Sequence, residues 1–359
     1  MDVDAQTLEA RVTMAEVEQL RILLIQTAFL GDVVLTLPLV QALKRAFPSA
    51  AIDVLVTPQA ENVLSLHPDV SSVLSFDKKG SQRGIVQLFR LGTFLRSNRY
   101  DMVVTPHRSL RTAFLAVRTG ARVRVGFDTS AAAFLYTKRV RYDPTLHEAD
   151  RNLQLLTGLG VAPGPKERPY LKPSEGDRRI VDELLASHSL PERSLVGLAP
   201  GSVWFTKRWP AERYASLVVE LERRGKTCVM IGGKEDEKLV SRILDEASPI
   251  RSFSAAGRLT IKQSAELIGR CSCLVTNDSA PLHLGVAMGT RVVAIFGPTV
   301  PSFGFGPYGV NDAVVQTVGL SCRPCTKHGG ASCPITTFEC MLAITPERVA
   351  DEVVRNFPD

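Results

Sequence analysis

The sequence predicts an α/β protein made of two Rossmann-like, doubly wound parallel-sheet domains that face each other across a cleft. Three observations predict it. Short apolar runs of strand length alternate with amphipathic helical stretches. The alternation occurs twice, on either side of Val161-Ala162-Pro163-Gly164-Pro165-Lys166-Glu167-Arg168-Pro169, a stretch rich in residues that break regular structure. The 359 residues, 45% hydrophobic, are enough for two cores. The domains are placed at residues 21–165 and 166–359, behind an acidic leader of residues 1–20.

In order, the first half opens with an apolar strand, Ile22 to Ile25, a loop holding Gly31-Asp32 and an amphipathic segment from Val33 to Phe47. Further strands are expected at Ile52 to Val56, Val73 to Phe76, Met102 to Thr105 and Val123 to Gly126, with helices at Ile85 to Arg96 and Leu110 to Arg118. The second half gives strand Val196 to Ala199, helix Ala211 to Arg224, strand Thr227 to Ile231 and helix Glu235 to Glu246. Strand Ile250 to Phe253, helix Ile261 to Cys271 and strands Cys273 to Thr276 and Val292 to Phe296 complete it.

Ligands of parallel sheets bind beyond the carboxyl ends of the strands, so chemistry is sought in four loops. After Cys273–Thr276 comes Asn277-Asp278-Ser279-Ala280-Pro281-Leu282-His283, with Ser279 as N-cap and Pro281 in the first helical turn. Free backbone N–H groups and the positive end of the helix dipole make this an anion site, with Asp278 and His283 available to sugar or ribose hydroxyls. In the first half, Asp32 follows Gly31 at a loop-to-helix junction and can accept the proton of an incoming hydroxyl, though an acid there also suits simple helix capping. In Pro200-Gly201-Ser202-Val203-Trp204-Phe205-Thr206-Lys207-Arg208-Trp209-Pro210, Ser202 and its backbone neighbours can hold a diphosphate. Lys207 is the point charge for a leaving group; the alternative is a surface Lys-Arg pair beside a core tryptophan. Glu235, after Gly232-Gly233-Lys234, stands where an acid hydrogen-bonds ribose hydroxyls. His107, Arg108 and Arg111 follow the fourth strand, where the arginines can orient an anionic acceptor. No GxGxxG or GxxxxGK[ST] loop occurs at these turns, which removes most support for hydride transfer and ATP hydrolysis.

The net charge of +6 is uneven: residues 21–160 hold 18 Lys/Arg against 10 Asp/Glu, and the leader is acidic. Arg83, Arg90, Arg96, Arg99, Arg108, Arg111, Arg118, Arg122 and Arg124 lie in one stretch with Asp101 as its sole acid. Such a surface suits an anionic saccharide or lipid head groups, or is a set of solvated helix faces. Nucleic acid is not expected, because no recognition motif accompanies the charge. The leader lacks the apolar core of a secretory signal, and no apolar run approaches the roughly 20 residues that span a bilayer. A cytoplasmic protein is expected, with peripheral contact at the inner face of the inner membrane an option. Of seven cysteines, Cys228, Cys271 and Cys273 sit on apolar segments, whereas Cys322, Cys325, Cys333 and Cys340 have a spacing that can ligate a structural zinc. Reduced thiols packed in a Pro-rich loop are the preferred reading, so no metal is assigned.

The segments GDVVLTLPLVQALKRAFP, PGSVWFTKRWP and NDSAPLHLGVAMGT, with RVGF at 124–127 and the Cys-rich tail, resemble glycosyltransferase family 9, the lipopolysaccharide heptosyltransferases, especially the heptosyltransferase II type. The resemblance runs from Arg21 onward. It implies a GT-B fold, an ADP-heptose donor held mainly by the second domain and an inner-core lipopolysaccharide acceptor approaching the first. By position, Asp32 corresponds to the general base and Lys207 to the phosphate-binding lysine. Glu235 corresponds to the ribose ligand, and Asp278, Ser279, Ala280 and His283 to the donor loop, with Gly31, Gly201 and Ser202 also on the donor. The implied reaction is an inverting displacement that needs no divalent ion or other cofactor. A transferase with another nucleotide-sugar donor, a nucleotide-sugar epimerase and a non-catalytic saccharide-binding protein are the alternatives.

Overall fold

The computed structural model describes residues 19–188 and 195–355; the expected leader, apart from its last two residues, lies outside the described residues. The first half runs β1 (Arg21–Ile25), α1 (Leu30–Val34), α2 (Leu37–Ala46), β2 (Ala51–Val56), α3 (Pro58–Leu64), β3 (Ser72–Ser75), α4 (Ile85–Ser97), β4 (Met102–Thr105), α5 (Leu110–Arg118), β5 (Val123–Phe127), β6 (Lys138–Val140) and α6 (Glu148–Gln154). The second runs α7 (Glu175–Ala186), β7 (Leu195–Ala199), α8 (Ala211–Arg223), β8 (Thr227–Met230), α9 (Glu237–Ala247), β9 (Phe253–Ser254), α10 (Ile261–Arg270), β10 (Cys273–Asn277), α11 (Ala280–Met288), β11 (Arg291–Phe296), β12 (Ala313–Gln316), α12 (Glu339–Leu342) and α13 (Pro346–Val354).

Each half forms a six-stranded parallel sheet, in the orders β3-β2-β1-β4-β5-β6 and β12-β11-β10-β7-β8-β9. These are one topology used twice. Ile22, Leu23, Leu24 and Ile25 are all fully buried, because helices cover both faces of a doubly wound sheet and leave no solvent side. The apolar runs read from the sequence are therefore the central strands.

Three local expectations need correction. The segment Val33 to Phe47 is two helices, broken at Leu35-Thr36. Pro38 has no N–H to give to a preceding turn, so it sits in the first turn of a new helix instead. The strand expected at Ile250 to Phe253 shrinks to Phe253–Ser254. The backbone N–H groups of Ile250, Arg251 and Ser252 donate to the Glu222 carboxylate at 2.7–3.0 Å, which takes the place of a neighbouring strand. The edge strand β6 escaped notice because two of its three residues are exposed cations.

The halves meet through packed elements. Helix α1 lies on α11 so closely that a Cβ on Gly31 would stand 2.8 Å from His283 Cδ2. Elsewhere Lys262 of α10, only 4% exposed, donates its Nζ to Ser65 O and Oγ of the first half, and its backbone N–H to Asn62 Oδ1.

Candidate active site

In both sheets the strand order reverses between the first and fourth strands: β1 beside β4, and β7 beside β10. At such a point the following loops diverge to opposite faces and leave a crevice between them. The loops after β1, β4, β7 and β10 carry Asp32, His107, Lys207 and Asp278, so each half brings its candidate residues to its own crevice.

Asp32 is the third residue of α1, and its carboxylate accepts the backbone N–H of Phe29 at 3.2 Å, three residues back. Capping and a chemical role thus share one side chain. Burial pushes its pKa up from the usual carboxylate range to about 7, and the nearby Glu148 carboxylate adds to the rise. The bonds from the backbone and the Lys207 ammonium of the other half pull it partly back. An acid held near neutrality, with the charge of a lysine from the other half acting on it through space, is suited to taking and returning a proton.

Lys207 ends a short helical turn, Phe205–Lys207, and its Nζ lies 2.6 Å from Asp278 Oδ2, both side chains being largely buried. The same oxygen accepts from Thr299 Oγ1 at 2.7 Å. Asp278, read from the sequence as available to sugar or ribose hydroxyls, is paired here with the lysine and aims it. Asn277, fully buried, ties the loops together. Its Nδ2 donates to Pro200 O at 2.8 Å, and its Oδ1 accepts from Trp209 N at 3.1 Å and Tyr214 Oη at 3.3 Å. The lysine turn is also clamped from behind, since Thr206 N donates to Gly330 O and Thr206 Oγ1 accepts from Gly330 N.

Ser279 occupies the N-cap of α11 and Ala280 its first position, yet the Ser279 side chain makes no capping bond and turns to Asn277 O and Thr276 Oγ1 at 3.5 Å. Pro281 has no N–H and Leu282 N donates to Ser279 O at 3.1 Å, so in the first turn of α11 the N–H of Ala280 is the one left to meet an anion. His283 is buried in that helix with its Nδ1 unpartnered. Burial, with His147 and Lys207 nearby, drives its pKa down to about 3, so it is neutral. Gly201 is packed against Asp236, whose Oδ1 would lie 2.3 Å from an added Cβ, and Ser202 O accepts from Arg208 Nε at 2.7 Å. Glu235 is exposed at the turn after β8.

At the loop after β4, His107 Nδ1 shares hydrogen bonds with Thr27 Oγ1 and Thr112 Oγ1 at 3.1 Å, joining the β4 loop to the β1 loop. Burial and the charges of Lys78 and Arg108 lower its pKa to about 4. Arg108 lies over the Tyr142 ring at 4.0 Å, and Arg111 is exposed at the start of α5. In the Cys-rich tail, Cys325 Sγ donates to Cys322 O at 3.0 Å while Cys340 is buried. Among the described residues no group of three or more His, Cys, Asp or Glu has the arrangement of a metal site.

Sequence reasoning missed His147, Glu148 and Arg151. Arg151, 2% exposed, pairs with Glu148 at 2.6 Å and donates to Phe303 O at 2.7 Å, while His147 Nε2 bonds Gly306 O at 2.9 Å. The cluster bridges the halves and carries the carboxylate that acts on Asp32. The signal available was His-Glu-Ala-Asp-Arg at a helix start beyond any strand.

The sequence profile of glycosyltransferase family 9 (heptosyltransferase) matches residues 88–334. The chain belongs to that family. This family 9 glycosyltransferase is 29% identical over 355 residues to lipopolysaccharide heptosyltransferase 2 of Salmonella typhimurium, a match covering 93% of this chain and 97% of the relative. Among solved structures it resembles the family 9 glycosyl transferase of Veillonella parvula at 31% identity and a TM-score of 0.76, over 83% of this chain and 86% of that one. It likewise resembles E. coli ADP-heptose lipopolysaccharide heptosyltransferase II at 26% identity and a TM-score of 0.75, over 93% and 97%. The twin sheets are thus the GT-B fold. Membership makes this chain a glycosyltransferase, against the epimerase and the non-catalytic reading.

Proposed function

We infer that this enzyme transfers a heptose from ADP-heptose to the inner core of lipopolysaccharide, with inversion at the anomeric carbon and without a divalent ion. The observation that carries the reading is the approach of two unlike groups across one cleft: a carboxylate held near pH 7 from one half, and an ammonium aimed by Asp278 from the other. The near full-length likeness to lipopolysaccharide heptosyltransferases supports the donor and acceptor classes.

In this mechanism the acceptor hydroxyl, oriented by Arg108 and Arg111, gives its proton to Asp32 as its oxygen bonds the anomeric carbon. The bond from that carbon to the ADP oxygen breaks on the opposite face. Positive charge develops on the sugar and negative charge on the diphosphate. Lys207, the Ala280 N–H and the positive end of the α11 dipole meet the latter, supplying the electrostatic work that a metal would otherwise do. Glu235 takes the ribose and Ser202 the diphosphate. Neutral His283 presents a polar nitrogen to the sugar without adding charge. The alternative donor is tested in the same assay.

The test is a panel of nucleotide sugars incubated with lipopolysaccharide core acceptors in excess chelator, the product linkage being read by NMR. Transfer from ADP-heptose with an inverted anomeric centre is expected. Retention of configuration, or a strict requirement for magnesium or manganese, would refute the mechanism.

A further inference from the structure

Helices α4 and α5 seal one face of the first sheet with Leu91, Leu95, Ala113, Leu115 and Ala116. Their outer surface should then be polar, and on α4 it is not. Ile85 and Val86 are 70% and 61% exposed, Phe94 is exposed, and Phe89 is exposed on one side while its ring packs edge-on against Phe114 beneath the Arg118 guanidinium. At 100° per residue Ile85, Val86 and Phe89 fall on the half of the helix turned away from Leu91 and Leu95, interleaved with Arg90 and Arg96, and Phe94 lies at its border. No acid lies on either helix, and between Lys78 and Phe127 eleven lysines and arginines face Asp101 alone. That acid sits off the surface in question, accepting the backbone N–H of Arg21.

The face borders the cleft. Both helices follow strands of a parallel sheet, so their first turns stand at the sheet's carboxyl edge, beside the Asp32 loop. Lys78 Nζ donates to Thr27 O at 2.5 Å and Lys79 lies over the Phe29 ring at 5.8 Å, joining the approach to α4 to that loop. Exposed Leu110 opens α5 on the same side.

We propose that the outer face of α4 and α5 docks on an anionic lipid bilayer and presents the acceptor side of the cleft to its surface. A bilayer supplies what this surface needs: acyl chains for the exposed apolar side chains, and anionic head groups for the arginines, whose stems lie along apolar surface while the guanidinium stays at the interface. A second copy of the chain would set one acid-free cationic face against another, which like-charge repulsion opposes. The surface stands on its own observations; its use in feeding a lipid-linked acceptor to Asp32 rests on the function proposed above.

The experiment is co-sedimentation of the full chain with phosphatidylcholine vesicles and with equimolar phosphatidylcholine–phosphatidylglycerol vesicles, at low and high salt. Binding is expected to the second alone and to weaken with salt. Ile85→Ser with Val86→Ser, and separately Arg90→Gln with Arg96→Gln, should each lower the partition coefficient roughly tenfold. Neither pair should change the thermal midpoint appreciably or the turnover on a delipidated core oligosaccharide. The proposal is overturned if the wild-type chain ignores anionic vesicles or if both pairs bind as it does. It is also overturned if the apolar pair converts a dimer to a monomer with vesicle binding untouched. Vesicle binding by a chain inactive on ADP-heptose would sink the function reading and leave this surface standing.

Discussion

Asp32 carries two opposed demands. Ionised, it is the base the proposed reaction needs, but its ionised form is costly where it sits, since burial and Glu148 hold its pKa near 7. In the unfolded chain the same carboxyl ionises near pH 4. Its penalty on folding therefore builds between about pH 4 and pH 7 and is complete above. Asp32→Asn should melt higher than wild type at pH 8, by on the order of 1–2 kcal/mol, and the gap should close toward pH 4; calorimetry across that range checks the sign. The same substitution should lower kcat roughly a hundred- to ten-thousand-fold. Wild-type kcat/KM should rise with pH to a plateau above about 7 as the free enzyme's base ionises. Lys207→Ala should cost a further kind of activity, roughly a hundredfold in kcat with a smaller change in donor affinity, because the charge it meets is greatest at the transition state.

At the scale of elements, the loops matter through what locks them. Asn277 joins β10, the Pro200 loop and the start of α8 through one buried amide. Asn277→Ala would leave Pro200 O and Trp209 N without partners in the interior, costing about 3 kcal/mol in urea unfolding and loosening the turn that carries Lys207. Contact between α1 and α11 depends on Gly31 lacking a side chain. Alanine there would ordinarily favour a helix by about 1 kcal/mol. Here its Cβ meets the ring of buried His283, so Gly31→Ala should destabilise, and a double-mutant cycle with His283→Ala should show coupling between the two sites.

For the whole molecule, polar ties join the lobes: buried Lys262 bonds half-buried Asn62 and Ser65, and buried Arg151 bonds Phe303 O. Ligand occupancy of the cleft should draw the two sheets together around such ties. Small-angle scattering should record a smaller radius of gyration with donor analogue and acceptor bound together; an unchanged profile would count against closure.

Fold and site were not equally visible in the chain. Alternating apolar and amphipathic runs determined by themselves that the protein holds two parallel sheets, because strands buried on both faces must read as unbroken apolar stretches such as Ile22–Ile25. The same pattern located the loops of Asp32, Lys207 and Asp278 at strand ends. Where a signal was short or charged, as in β6, or replaced by a side chain, as at Ile250 to Ser252, local reading failed. Only the tertiary structure decided that Asp278 aims Lys207, that Gly31 makes room for His283, and that Glu148 stands by Asp32. Desolvation and Coulomb forces act through space, over groups separated by roughly seventy or more positions along the chain, and so they leave no trace in a local pattern of residues.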